Sequence, residues 1–128
     1  MRVLLDTHAF LWWLDGDRRL SRRARQLIGD DNTTVYISAA SAWEITTKFR
    51  LGKLPGAADV AADVAGCAAS QGFLALTISI SHAQRAGLLP GEHRDPFDRM
   101  LIAQAQAEDI SLVSVETLVD DYGIRRIW

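Results

Sequence analysis

The sequence predicts a three-layer α/β/α sandwich around a central parallel sheet. Two observations carry that expectation. Short apolar runs alternate with helical patterns along the whole chain, and those runs lack the polar–apolar alternation of a sheet with one wet face. A length of 128 residues suggests one domain spanning 1–128, and 48% apolar residues suffice for a core.

VLL at 3–5 has strand character, and Asp6-Thr7 follows it as a cap for the helix AFLWWL, with Phe10, Trp13 and Leu14 at helical spacing. DGD at 15–17 breaks that helix, and Ser21 caps a basic one running to about Ile28. After the loop GDDNTT, VYIS at 35–38 reads as a second strand. Ser41 is expected to open the helix AWEITTKFRL, with Ala42, Ile45 and Phe49 on its inner stripe, and Gly52 and Pro55 end it. Residues 57–70 are Ala-rich and helical up to Gly72. FLAL at 73–76 is a third apolar run, and SISHAQRAG is a short helix ending at Gly87. PFDRMLIAQAQAED is the clearest helix, with Pro96 in its first position. SLVS at 111–114 is a strand, TLVDDYG a turn or short helix, and RRIW a last strand.

Composition excludes several classes. The net charge is −2, so no global basic field points to nucleic acid, although Arg18, Arg19, Arg22, Arg23 and Arg25 crowd one stretch and Lys48, Arg50 and Lys53 another. Cys67 is the only cysteine, which leaves no internal disulfide and no thiolate metal site. The N-terminal apolar run ends after three residues, too short for a signal peptide, and no stretch approaches a membrane span. The cytoplasm is the expected location.

In a parallel α/β sheet, sites form where strand C-terminal ends meet helix N-termini. That rule sorts the sixteen acidic residues. Asp6 follows the first strand directly, Glu44 lies in the first turn after the second, Asp98 opens the helix after the HRD loop, and Glu116 lies two residues past SLVS. Parallel strands would put all four at one edge. Each also has a plain structural reading. Asp6 can cap its helix, Glu44 can pair with Lys48 one turn on, Asp98 can face the helix dipole or pair with Arg94 or Arg99, and Glu116 can be an ordinary first-turn acid. In RDPFDR, Pro96 at the first helical position makes Asp95 the N-cap, whereas Asp98 shares a stripe with Leu101, Ile102 and Ala105. An acid drawn toward the interior needs a reason to be there. Converging carboxylates take up protons or bind a cation, and oxygen-only donors favour Mg²⁺ or Mn²⁺. Such an ion activates water and polarises phosphoryl oxygens, so the pattern points to phosphate ester chemistry.

RVLLDTHAFLWWL, ISAASAWEITTKFRLGKL, HRDPFDRMLIAQA and LVSVETLVDDYGIRRIW together resemble PIN-domain ribonucleases, and more closely the VapC toxins of prokaryotic toxin–antitoxin pairs. The resemblance covers essentially the whole chain. It implies a Mg²⁺- or Mn²⁺-dependent endoribonuclease acting on structured RNA such as tRNA, an α/β/α sandwich, a homodimer, and inhibition by a cognate VapB-type antitoxin. By motif it assigns Asp6, Glu44 and Asp98 as catalytic, metal-binding acids, and Asp95 as a residue without a ligand role. The fourth position departs from the family pattern of Thr or Ser, any residue, then Asp: here it is Ser114-Val115-Glu116. Glu116 keeps the charge with one more methylene, Ser114 can orient a water or a carboxylate, and Asp120 or Asp121 could substitute. Arg94, Arg99 and Lys48, with Ser114, are candidates for binding the RNA. Arg50 and Lys53 are further cations for its backbone.

His8, His82 and His93 are scattered, and surface or core roles are expected of each, so a metal-free route through a His pair has no support. Of Trp12, Trp13 and Trp43, core packing uses at least one, and an antitoxin groove or a dimer surface could use the others. Two other classes stay open. A phosphatase of the haloacid-dehalogenase type would need a second Asp where His8 stands, and a receiver domain would need a late-strand Lys that is missing. A non-catalytic binding module with a degraded metal site is the third reading.

Overall fold

In the computed structural model, which describes residues 1–128, the strands are β1 (Arg2–Leu5), β2 (Thr34–Ser38), β3 (Leu74–Leu76), β4 (Ser111–Val113) and β5 (Arg126–Ile127). They form one sheet in the order β3-β2-β1-β4-β5, with every pair parallel. The helices are α1 (Thr7–Asp15), α2 (Arg22–Gly29), α3 (Ala39–Arg50), α4 (Ala58–Ala62), α5 (Val64–Ser70), α6 (Ile80–Leu88) and α7 (Pro96–Glu108). Short 3₁₀ turns at Pro55–Ala57 and Thr117–Tyr122 complete the chain.

The sheet separates two apolar cores, which is why its strands carry no alternation. Val3 and Leu5 of β1, with Val35, Ile37 and Val113, face α1, α2, α4 and α5 through Phe10, Ala24, Ile28 and Val60. Leu4 and Leu112 point the other way, onto Ala86 of α6 and Leu101, Ile102 and Ala105 of α7. At about 25 cal/mol per Å² of apolar surface removed from water, these two faces supply the main drive for the sandwich.

Three boundaries differ from expectation for local reasons. Helix α3 begins at Ala39 and not after Ser41, because the Ser38 hydroxyl accepts from the Ala40 N–H at 2.9 Å and caps it there. Its buried face is therefore Ala40, Ser41, Glu44 and Ile45, while Phe49 is exposed. The Ala-rich stretch is two helices, broken at Asp63, whose side chain caps the second by accepting from the Gly66 N–H. Helix α6 runs one residue past Gly87, to Leu88.

A buried amide ties the layers near the second core. Gln104 of α7 accepts from the Ser38 hydroxyl at 2.5 Å and donates to the Thr77 carbonyl at 3.1 Å. Beside it, His82 is buried, with Nδ1 accepting from the Ser79 N–H at 3.1 Å. The proton therefore sits on Nε2, which donates to Glu108 Oε1 at 2.8 Å. No helix is long and apolar enough to cross a membrane.

Candidate active site

The strand order places β2 and β3 on one side of β1, and β4 and β5 on the other. The chain thus reverses direction across the sheet between β1 and β4, where open α/β sheets form their ligand crevices. Asp6 sits there. Its N–H continues the sheet by donating to the Val113 carbonyl at 3.0 Å, and its Oδ1 caps α1 by accepting from the Ala9 N–H at 2.8 Å. Asp6 is therefore a cap placed at the sheet's reversal point. Burial pushes its carboxyl up to about 6, with the Asp98 charge adding to the rise, against the Ser114 hydroxyl, the Ala9 N–H and the charge of His8.

Glu44 comes from α3 and is also buried. The Thr7 hydroxyl donates to its Oε1 at 2.6 Å and lies 3.0 Å from Ser41 Oγ. One hydroxyl proton cannot serve both, so the carboxylate takes it and Ser41 donates to Thr7. Oε2 of Glu44 pairs with the Lys48 ammonium, one turn along the same helix.

Asp98 comes from the first turn of α7. Asp95 is the N-cap, as Pro96 requires, and its Oδ1 accepts from the N–H groups of Phe97 at 2.9 Å and Asp98 at 3.1 Å. Asp98 is left free of capping duty, and His93 Nε2 lies 3.0 Å from its Oδ2. Its carboxyl is raised above the ordinary range, chiefly by burial, then by the charge of Asp95, with Glu44 adding and His93 opposing.

The other candidates divide. Ser114 is buried beside Asp6, and its Oγ also accepts from the Glu116 N–H at 3.0 Å. Glu116 is exposed, and its carboxylate makes no hydrogen bond or ion pair within the chain. The carboxylate lies beyond a bend at Val115, which is itself exposed. Asp120 pairs with Arg126 at 2.9 Å and does not substitute. The reading of Arg99 is corrected. Its guanidinium is used by three carbonyls, those of Ala86 at 3.2 Å, His93 at 2.9 Å and Leu89, so it staples the loop before α7. Arg94 is exposed and lines a cleft of about 800 Å³ with His93, Leu118, Asp121 and Tyr122. In the basic stretch Arg19 is held by Asp17 and lies over Trp12, and Arg25 donates to the Asp17 carbonyl. Trp13 packs on Phe73, while Trp43 is 61% exposed and edge-on to Phe97.

Sequence reasoning missed Thr7 and His93. The hydroxyl of Thr7 matters only because α1 and α3 meet, and His93 lies in a loop with no periodicity to aim it.

The donor set fits a hard divalent cation. It is all oxygen, and the repulsion of Asp98 with Asp6 and with Glu44 calls for positive charge. The side chains are not preassembled, since no three acidic, His or Cys groups already stand close enough to grip one ion. One of the acids, Glu44, is paired instead with Lys48.

The fold has close relatives in solved structures. The chain is similar to VapBC2 from Rickettsia felis bound to a promoter DNA fragment, at 15% identity over 99% of this chain and 98% of that one, with a TM-score of 0.66. It is similar to VapC20 of Mycobacterium tuberculosis, a toxin that cleaves the sarcin-ricin loop, at 18% identity over 95% of each chain, with a TM-score of 0.68. A toxin–antitoxin complex from Klebsiella pneumoniae matches at 21% identity over 90% of this chain and 87% of that one, with a TM-score of 0.58. These identities establish likeness of fold. Comparison with curated proteins finds no match. A family model described as the PIN domain matches residues 3–123, from the first strand through the turn after Tyr122, and the chain belongs to that family.

Proposed function

We propose that this protein is a metal-dependent endoribonuclease and the toxin of a toxin–antitoxin pair, neutralised by a cognate VapB-type antitoxin. One observation carries the reading: in a PIN fold, Asp6, Glu44 and Asp98 come from three different elements, and the charge of Asp98 acts on Asp6 while that of Glu44 acts on Asp98. Similar solved structures include a toxin that cleaves the sarcin-ricin loop and a toxin–antitoxin complex.

In this reading Asp6, Glu44 and Asp98 hold Mg²⁺ or Mn²⁺, which when bound supplies an activated water and neutralises charge on the phosphate. The chain's own residues set the stage. Ser114 steadies Asp6, the Thr7–Ser41 pair fixes Oε1 of Glu44, and His93 orients Asp98. Arg94 contacts the RNA backbone along the adjoining cleft, where one cation per phosphate gives salt-sensitive binding. Hydrolysis of this kind leaves a 5′-phosphate and a 3′-hydroxyl. The chain acts as one domain over 1–128, as a homodimer, in the cytoplasm.

A second reading, a binding module without turnover, is favoured by the open arrangement of the acids, which do not yet converge on a common point. End-labelled structured RNA separates the two. The nuclease reading expects discrete cuts with Mn²⁺ or Mg²⁺, none with EDTA, loss of at least 100-fold in Asp98→Asn and retention in Asp95→Asn, since Asn caps a helix as well as Asp. Binding without cuts by wild-type protein across varied RNAs would leave the module. Equal loss in two folded variants would overturn the division of labour between Asp95 and Asp98.

A further inference from the structure

Lys48 is four residues after Glu44, with the acid on the N-terminal side, the favourable order for a helix pair. On an exposed helix such a pair contributes a few tenths of a kcal/mol. This pair is in a different setting. The Glu44 side chain is 5% exposed and that of Lys48 30%. Oε1 of Glu44 is already committed to Thr7, so Oε2 is its remaining oxygen, and the ammonium takes it. The ammonium also feels Asp95, the cap of α7, and Asp98 in its first turn, neither of them on its own helix. A single positive charge thus lies between the acids of α3 and α7.

Resting on the nuclease reading of this site, we propose that Lys48 is a resident counterion of the acidic cluster: it holds Glu44 in the metal-free protein and must release Oε2 when a divalent cation binds. The physical argument is competition for one lone-pair set. Buried carboxylates require positive charge nearby. A lysine tethered to the same helix supplies it at high effective concentration, so the metal must displace a neighbour as well as shed water. A tethered cation therefore weakens metal affinity while protecting the empty cluster from its own repulsion. Lys48 is a positioning residue in this scheme, acting through Glu44.

The test is a calorimetric titration of Mn²⁺ into metal-free wild type, Lys48→Met and Lys48→Arg. Methionine keeps the length and the packing of the stem without the charge. The expected result is binding about tenfold tighter in Lys48→Met, ~1.4 kcal/mol, with Lys48→Arg close to wild type because the charge is kept. Thermal melts should show Lys48→Met less stable than wild type in EDTA and gaining more from Mn²⁺. Equal or weaker Mn²⁺ affinity in a folded Lys48→Met would overturn the counterion role, and with wild-type RNA cleavage still metal-dependent the nuclease reading would stand. If neither wild type nor Lys48→Met takes up Mn²⁺, both readings fall.

Discussion

His93 Nε2 stands 3.0 Å from Oδ2 of Asp98, which binds the loop ahead of α7 to the acid in that helix's first turn. The same residue's carbonyl accepts from Arg99 at 2.9 Å, so His93 is gripped at both ends. One short segment, residues 89–95, therefore carries both an exposed arginine, Arg94, and the side chain that contacts Asp98.

That segment depends on Arg99. Replacing it with methionine keeps the apolar stem but leaves the carbonyls of Ala86, Leu89 and His93 without their donor. The expected cost is about 2–3 kcal/mol, from three half-buried acceptors. Urea unfolding measures it, and trypsin should cut after Arg94 faster in Arg99→Met than in wild type. A stability change under about 0.5 kcal/mol would mean that the loop holds itself.

Asp6 makes stability depend on pH in a stated direction. Its carboxyl ionises near 3.8 unfolded and near 6 folded. Between those values the folded state takes up a proton that the unfolded chain does not, so this group's contribution is fully present below 3.8 and lost as pH rises through 6. Asp6→Asn keeps an oxygen for the Ala9 N–H and removes the buried charge. In EDTA at pH 7.5 it should be more stable than wild type, by at most about 3 kcal/mol, with the gap closing toward pH 4, while cleavage is lost. Chemical unfolding of both proteins across that range checks the slope; a less stable Asp6→Asn at pH 7.5 would show that Asp6 has a cation-like partner already.

Ser114 and Glu116 should separate cleanly. Ser114→Ala removes a hydroxyl that favours the charged form of Asp6 and accepts the Glu116 N–H. A fall of roughly tenfold or more in RNA cleavage is expected, since one hydrogen bond to a charged group contributes ~1.5–3 kcal/mol. Glu116→Gln should stay within about threefold of wild type, because surface substitutions away from the site change little. A collapse in Glu116→Gln with unchanged Mn²⁺ affinity would mean that the exposed carboxylate meets the RNA.

The fold was readable because its signals are local. Apolar runs mark strands covered on both faces, Asp6, Ser21 and Asp95 announce helix starts, and Pro96 fixes one of them to the residue. Asp6, Glu44 and Asp98 were picked out as candidates by the same logic, since parallel strands deliver all their C-terminal ends to one edge. What sequence could not show depends on side-chain direction. Two residues of spacing put Glu116 as near to β4 as a ligand would be, yet only the backbone path past Val115 decides that it faces solvent. Arg99 looked like a free cation beside the site because nothing in its neighbours reveals that a loop folds back over it. The start of α3 was misplaced because two serines, Ser38 and Ser41, both suit a cap and only the strand's length chooses between them.

The single amide of Gln104 reaches both Ser38, at the root of α3, and Thr77, just ahead of α6. Glu44 and Asp98 ride on α3 and α7, so this buried amide links the two helices that carry them. An innocuous-looking exchange at Gln104 would therefore loosen the joint between the helices of two acids without touching either carboxylate.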